Sequence, residues 1–212
     1  MVQLHKKCFN RQAHPSLRTV ESAPLRSSNI TMMWTVVFLG VLGVSMANVM
    51  TPQNQNIILQ LHNEGRQMLN EGEVPYEPGA EHIPFLRWNE ELARKAQTHA
   101  NTCQFKHSSR PKFGENLYIE KSSRSEAEVI SRGFHAWWNE VDTFRFSDKE
   151  CNPTQSCHYS QVIWEETEEL GCALKNCPQI PQFRGFNDVW FLVCYYDPKG
   201  NWIGEEAYEP AK

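Results

Sequence analysis

The stretch CHYSQVIW, residues 157–164, sets a histidine among aromatic and hydroxyl side chains and then runs into an apolar segment that ends at Trp164. A single histidine beside apolar neighbours is usually a packed, hydrogen-bonded residue without a chemical role. His158 therefore indicates a functional site only if other segments of the chain supply partners for it.

The chain has 212 residues, with seven tryptophans and eleven phenylalanines, which is enough apolar material for one domain with a full core. Residues 1–31 differ, because they hold five basic residues against Glu21 alone and show no apolar periodicity. We predict that this segment is either disordered or an extension upstream of the true start.

The uncharged run over residues 32–49 contains Ser45 and Ala47, small residues at the two positions that a signal peptidase reads. We predict a secretory signal peptide over residues 32–47 and a mature domain over residues 48–212. The alternative is an uncleaved signal anchor, since about 18 uncharged residues reach the lower limit for spanning a bilayer. Glycines within the run favour cleavage.

Charge and cysteine content both fit an exported protein. Removing residues 1–47 takes away five of the 21 basic residues and one of the 25 acidic residues, which leaves 16 against 24 and a net charge near −8. This balance argues against a nucleic-acid partner, which normally requires a basic surface.

The mature part keeps six cysteines, which suit disulfides in an oxidising compartment. Because no CxxC pair occurs, a thiolate zinc site has little support.

Helix-start signals precede three amphipathic segments. Thr51 and Asn89 can each cap a helix, and Ser125 with Glu128 forms a capping box for a third helix that we expect to carry WWNE at residues 137–140. Two later segments, at 170–177 and 188–198, are predicted to be strands; the second is rich in β-branched and aromatic residues and ends at Asp197 and Pro198. No repeat or linker divides the mature part, so we predict one α+β domain.

Six segments resemble the CAP superfamily, which includes pathogenesis-related proteins, venom allergens and cysteine-rich secretory proteins. In chain order and spacing they are HNEGR, FKHSS, FGENLY, WWNE, HYSQVIW and YYDPKGNW. HYSQVIW and YYDPKGNW are similar to the two family signatures, although Cys157 stands where the first signature commonly has glycine. The six mature cysteines and the short tail are most similar to single-domain venom-allergen-like or glioma-pathogenesis-related members.

The resemblance implies an α-β-α sandwich with a small antiparallel sheet between helices and a cleft holding two histidines and two glutamates. Matched position by position, these residues are His107, Glu115, Glu140 and His158. Two imidazoles with orienting carboxylates suit a divalent cation, with zinc as an ion that folding does not require. The alternative is a hydrogen-bonded network without a bound ion. His62 is expected to be structural, and His82, His99 and His135 match no functional position.

Residues alone leave 15 possible cysteine pairings. The resemblance implies Cys103 with Cys177, Cys172 with Cys194 and Cys151 with Cys157.

The resemblance also implies lipid binding, with fatty acids between long helices and sterols near an aromatic loop before the first signature. That loop carries Phe144 and Phe146, and the competing interpretation places both in the core. We therefore expect a secreted, non-enzymatic protein that binds lipid and a divalent metal, acts through ligands or extracellular protein partners, and is not an integral membrane protein once cleaved. Self-association to a homodimer stays open.

The alternative function is a secreted protease or esterase that uses the histidines and glutamates of the cleft. Ser160 lies two residues after His158 and invites this interpretation. Neither a GxSxG elbow nor an HExxH motif occurs in the chain, so the known helix-borne zinc and nucleophile-elbow signatures are missing.

Overall fold

The computed structural model describes residues 50–108, 112–148, 151, 156–185 and 187–212. The predicted extension over residues 1–31 and the predicted signal peptide over residues 32–47 lie outside these ranges. Within the described residues, no helix combines the length and the apolar character needed to cross a membrane.

The described residues form four α-helices. The helices are α1 (Pro52–Asn70), α2 (Glu90–Ala100), α3 (Glu126–Trp138) and α4 (Cys157–Ile163). Thr51 and Asn89 accept hydrogen bonds from backbone amides in the first turns of α1 and α2, and Ser125 with Glu128 forms the complete capping box of α3. The three predicted helix starts are confirmed.

One four-stranded sheet lies between the helices, with the order β1-β3-β4-β2. The strands are β1 (Arg87–Trp88), β2 (Gly114–Lys121), β3 (Glu169–Gln179) and β4 (Asn187–Asp197). β4 pairs antiparallel with both β2 and β3, whereas the two-residue β1 runs parallel to β3. The predicted antiparallel sheet is therefore present, with a short parallel strand added at its edge.

Helices cover both faces of the sheet, as the predicted α-β-α sandwich requires. Alternate residues of β4 divide between two apolar clusters, as the two-residue period of a strand dictates. Phe191 and Val193 pack with α2 residues on one face, whereas Leu192 and Tyr196 join the larger cluster with α1, α3 and α4 on the other.

Three disulfides join the six mature cysteines, in the pairs implied by the resemblance. Cys103–Cys177 ties the segment after α2 to β3, Cys172–Cys194 links directly opposed residues of β3 and β4, and Cys151–Cys157 closes a short loop before His158.

Helix α3 ends earlier than the sequence pattern predicts. It stops at Trp138, and Glu140 lies in a 3₁₀ turn over Asn139–Asp142 rather than on the helix. The turn moves the Glu140 side chain to the N-terminus of α4, which is where its hydrogen bonds are made.

Candidate functional site

The first histidine–glutamate pair connects the segment after α2 to β2. Glu115 is the second residue of β2, and its Oε1 lies 2.7 Å from His107 Nδ1. Ser108 adds a backbone N–H bond of 3.0 Å to Oε1 and a hydroxyl bond of 2.7 Å to Oε2. Burial would raise the pKa of Glu115, but the hydrogen bonds from His107, His99 and Ser108 outweigh it and hold this pKa well below its usual range.

The second pair connects the 3₁₀ turn to α4. His158 Nδ1 lies 2.6 Å from Glu140 Oε1, and the backbone N–H groups of His158 and Tyr159 donate to Oε2 at 2.9 and 3.1 Å. Ser156 precedes α4 without a capping side-chain bond, so Glu140 satisfies the free amides that a helix start exposes. This carboxylate thus fixes both the helix and the imidazole.

The two pairs face each other across the cleft. The ring centroids of His107 and His158 are 6.5 Å apart with an interplanar angle of 28°, and Trp137 stacks on the other side of His158 at 6.2 Å. Glu115 is 3% exposed and Glu140 18%, whereas His158 is 27% and His107 62% exposed. The imidazoles are therefore the groups that the cleft presents to solvent.

The carboxylates determine which ring nitrogen is available. A carboxylate this close to Nδ1 holds the proton there, which leaves the lone pair on Nε2. Among the described residues, neither Nε2 atom has a protein hydrogen-bond partner. The described residues contain no group of three or more His, Cys, Asp or Glu side chains arranged to hold a metal ion. The four residues thus offer two nitrogen lone pairs that could bind a metal ion, while the glutamates hydrogen-bond the imidazoles.

His99 contacts Glu115, although no motif of the sequence indicates this contact. Its Nδ1 lies 3.2 Å from Glu115 Oε2 and 3.0 Å from the Tyr195 hydroxyl, and its Nε2 lies 3.0 Å from the Lys106 carbonyl. The ring therefore links α2 to Glu115 on β2, to Tyr195 on β4 and to the Lys106 backbone. Burial is the main cause that raises the pKa of Tyr195 to about 12.

A lysine-rich cavity of about 660 Å³ opens beside this group. Lys106 and Lys112 line it together with Phe113, whose ring stacks on Tyr195 at 5.9 Å. Lys112 Nζ lies 5.4 Å from the Phe113 ring centroid. This basic lining contrasts with the acidic balance of the mature chain.

A buried hydrogen-bond chain supports the backbone of His158. Asn116 donates to the His158 carbonyl at 3.0 Å and to the Tyr196 hydroxyl at 3.1 Å. That hydroxyl lies 2.9 Å from Nε2 of His62, whose Nδ1 lies 2.7 Å from the Ile58 carbonyl. His62 is fully buried, so the prediction of a structural role is confirmed. The chain links α1 through β4 and β2 to the cleft.

Gly114, the glycine that opens the GEN segment, lies against the side chain of Gln161. A Cβ at this position would lie 2.0 Å from Gln161 Oε1, which accepts the backbone N–H of Gly200 at 3.1 Å. A larger residue at this position would displace the Gln161 side chain and disturb its hydrogen bond with Gly200.

Phe144 and Phe146 both pack against neighbouring aromatic rings and line a cavity. Phe144 is 5% exposed and its ring lies 5.2 Å from Tyr159, while Phe146 lies 4.7 Å from Tyr208. Both line an aromatic cavity of about 320 Å³. Its other described lining residues are Cys151, Cys157, Ser160, Trp164, Asn201, Trp202, Ile203, Glu205 and Ala207.

Ser160 does not have the geometry of a nucleophile. Its hydroxyl donates to Asn201 Oδ1 at 2.6 Å and lies 3.3 Å from the Cys157 carbonyl. The side chain is buried, and its proton is committed to an amide rather than to a base. The hydrolase alternative therefore lacks the serine–histidine pair that motivated it.

Most of the described domain matches one known protein family. The match to the family described as "CAP: Cysteine-rich secretory protein family" covers residues 59–196. The chain belongs to this family. The matched range includes all four cleft residues together with α2, α3, α4 and nearly the whole sheet.

Curated CAP relatives are about 30% identical to the chain. Peptidase inhibitor 16 of Homo sapiens is 29% identical over 184 residues, covering 86% of this chain and 37% of that protein. Cysteine-rich secretory protein LCCL domain-containing 1 of Gallus gallus is 32% identical over 190 residues, covering 81% of this chain and 34% of that protein. Venom allergen 5.01 of Dolichovespula maculata is 31% identical over 175 residues, covering 76% of this chain and 74% of that protein. The chain thus spans about a third of the length of the first two relatives.

Solved CAP structures share the fold. The crystal structure of NaASP2 with Zn²⁺ has a TM-score of 0.68 and 26% sequence identity, covering 78% of this chain and 90% of that one. Venom allergen-like protein 4 of Schistosoma mansoni has a TM-score of 0.61 and 25% sequence identity, covering 76% of this chain and 96% of that one.

Proposed function

We propose that this chain is a secreted, non-enzymatic CAP protein that binds a lipid, either a sterol or a fatty acid, in the aromatic cavity. The observation that carries this proposal is the cavity itself, whose lining by Phe144, Phe146 and Trp164 suits an apolar ligand. Its volume of about 320 Å³ lies at the small end of the usual range for ligand sites, about 300–1,000 Å³. Burying apolar ligand surface contributes about 25 cal/mol per Å² and requires no catalytic group.

The entrance of the cavity also supports a lipid. Trp202 is 44% exposed and Ile203 is 86% exposed, and both line the aromatic cavity. Exposed large apolar side chains beside a cavity extend the apolar surface available to a long ligand.

Export is the second part of the proposal. Three disulfides fit an oxidising compartment, and the matched relatives include a venom allergen. The predicted signal peptide over residues 32–47 supplies the route. N-terminal sequencing of secreted material should begin at Asn48, and membrane-retained material that still carries Met33 would contradict cleavage.

The lipid site is tested with a fluorescent sterol and a fluorescent fatty acid. Because Phe144 is buried against Tyr159, its replacement would disturb the core, so the informative change is Phe146→Ala combined with Trp202→Ala. We expect affinity to fall about tenfold, which corresponds to about 1.4 kcal/mol. Phe85→Ala is the matched control, since Phe85 is 55% exposed and lies outside this lining.

The outcome also separates the lipid site from the cleft. His107→Ala should leave lipid affinity unchanged, because His107 does not line the aromatic cavity. Equal affinity in the double variant and in wild type would reject the site, whereas loss of affinity in the folded His107 variant would reject its independence.

We further propose that His107 and His158 bind a divalent cation, with zinc favoured, through their Nε2 atoms. The Nδ1 bonds to Glu115 and Glu140 support this, because a carboxylate on the distal nitrogen is the usual partner of a metal-bound histidine. Tetrahedral zinc with Zn–N bonds of about 2.1 Å places two ligating ring centroids roughly 5 Å apart, so the observed 6.5 Å must shorten by about 1 Å on binding. The NaASP2 crystal structure with Zn²⁺ gives a precedent within the fold.

Zinc calorimetry tests this site. The double variant His107→Ala with His158→Ala should lose zinc binding, whereas His82→Ala, an exposed histidine in a loop, should bind as wild type does. Zinc should bind more tightly than magnesium, which prefers oxygen ligands. Equal affinity in the double variant would place the ion elsewhere, and absence of binding in folded wild type would favour the hydrogen-bonded network.

A further inference from the structure

Glu77 is an acidic residue at the wall of a second cavity. It lies in the turn-rich segment after α1 and lines a cavity of about 820 Å³, which we name the Glu77 cavity. Its Oε2 atom is buried and has no hydrogen-bond partner among the described residues. Leaving a buried carboxylate oxygen without a donor costs free energy, and more so when the group is charged.

The groups that face Glu77 do not supply a full counter-ion. Arg145 lines the same cavity, but its Nη1 donates to two backbone carbonyl oxygens at 3.2 and 2.6 Å. Asp142 also lines the cavity and adds a second carboxylate. On the interior side are Tyr159 and Tyr208, and burial raises the pKa of both hydroxyls, so they are neutral. The described lining therefore carries two carboxylates against one guanidinium.

Aromatic side chains complete the cavity. Tyr76 is fully exposed at its edge, and Phe146 lines both this cavity and the aromatic cavity. Aromatic faces attract ammonium and quaternary ammonium groups, most strongly where water is excluded. Burial raises the pKa of Glu77 to about 7, with Arg145 acting in the opposite direction, so a cation bound beside it would stabilise the ionised form.

We propose that the Glu77 cavity binds an organic ammonium group, with Glu77 as its counter-ion and Tyr76 and Phe146 as its aromatic walls. A free amine and the choline or ethanolamine headgroup of a lipid share this chemistry. The proposal stands apart from lipid binding in the aromatic cavity, because it depends on the carboxylate and on the charge of the ligand.

The test uses choline and its neutral carbon isostere, titrated into the protein and followed by calorimetry. We expect choline to bind at pH above about 7 and the neutral isostere to bind at least tenfold more weakly. Glu77→Gln should lose at least tenfold in choline affinity, and Glu73→Gln, an exposed neighbour in the same segment, should lose nothing. Equal choline binding by Glu77→Gln and wild type, or no saturable binding by wild type, overturns the proposal.

Proton linkage gives a readout that a purely structural role would not change. Near pH 7 part of Glu77 is protonated, so choline binding should release protons and weaken as pH falls; Glu77→Gln should show neither effect. Affinity that does not change with pH would contradict the assignment. Tyr76→Asn removes the exposed ring and tolerates the positive φ of 65° there, so it should fold and bind choline a few-fold more weakly.

The two ligand sources are separated with phosphocholine and a single-chain choline lipid below its micelle concentration. Tighter binding of the lipid than of phosphocholine, with both affinities reduced at least tenfold by Glu77→Gln, assigns a lipid headgroup. Equal affinities assign a free amine and leave the ammonium site intact.

Discussion

His62 on α1 and Tyr196 on β4 share a hydrogen bond of 2.9 Å in the fully buried core. The imidazole Nδ1 donates to the Ile58 carbonyl, so Nε2 accepts from the tyrosine hydroxyl, and that hydroxyl accepts from Asn116. In the neutral state the Tyr196 hydroxyl donates its proton to Nε2, so a second imidazole proton on Nε2 would face a donor.

His62 should therefore make the protein sensitive to acid. Burial lowers its pKa from 6.5 to about 3, so between these values the unfolded chain binds a proton that the folded chain does not. Stability then falls as pH is lowered through this range, by up to about 5 kcal/mol. His62→Gln should unfold with a shallower pH dependence in urea titrations, and the exposed His135→Gln should keep the wild-type slope. Identical slopes in the two variants would show that His62 does not set acid stability.

Replacement of Arg66 by lysine should destabilise the folded protein strongly. Its guanidinium is fully buried and donates to the carbonyls of Pro84, Val162, Trp164 and Thr167 at 2.7–2.9 Å, and burial lowers its pKa to about 9. Lysine has three donors on one nitrogen and cannot reach four separated carbonyls. We expect Arg66→Lys to lose about 3–5 kcal/mol of unfolding free energy, since unpaired carbonyls and a displaced charge stay buried. The exposed Arg94→Lys is the control, and a loss below about 1 kcal/mol would refute this expectation.

Local signals in the sequence were sufficient for the elements that have them. The caps at Thr51, Asn89 and Ser125 are encoded within four residues, and all three predicted helix starts are correct. Strand β2, by contrast, carries charged residues such as Glu115 and was not predicted, because its pairing with β4 is non-local. Helix α4 has seven residues and takes its N-terminal partner from Glu140, 18 positions away from His158.

The candidate site could also be predicted only in part, because some of its contacts are non-local in sequence. The family resemblance implied that His107, Glu115, Glu140 and His158 share one cleft, and the distances place them together. His99 was missed because a lone histidine on a helix has no marking motif. It follows Ala96 by three residues and therefore shares the buried face of α2, which was the available signal. Its contact with Glu115 depends on how α2 packs against the sheet.

The disulfides should contribute unequally to stability. Cys103–Cys177 spans 74 residues and Cys151–Cys157 spans six, so chain entropy predicts about 4.5 and about 2 kcal/mol for the two bonds. Paired replacement of each bond by alanine, followed by urea unfolding, measures both values. Removing Cys151–Cys157 should also weaken lipid binding, since both cysteines line the aromatic cavity. A larger stability loss from the short loop than from the long one would contradict the entropic order.

Glu140 should act on metal binding through His158 rather than as a ligand. Its Oε1 accepts a hydrogen bond from His158 Nδ1–H at 2.6 Å, and its Oε2 accepts from the backbone amides of His158 and Tyr159, so both oxygens are engaged. In Glu140→Gln one oxygen becomes an NH₂ group that faces N–H donors, and the remaining oxygen polarises Nδ1–H less strongly. Zinc affinity measured by calorimetry should fall about 10–100-fold, with a loss of about 1–3 kcal/mol in unfolding free energy. Glu120→Gln, whose carboxylate pairs with Arg132 at the surface, is the matched control and should leave zinc affinity unchanged. If Glu140→Gln loses stability but keeps wild-type zinc affinity, Glu140 serves only α4, and the positioning of His158 must come from its stacking on Trp137.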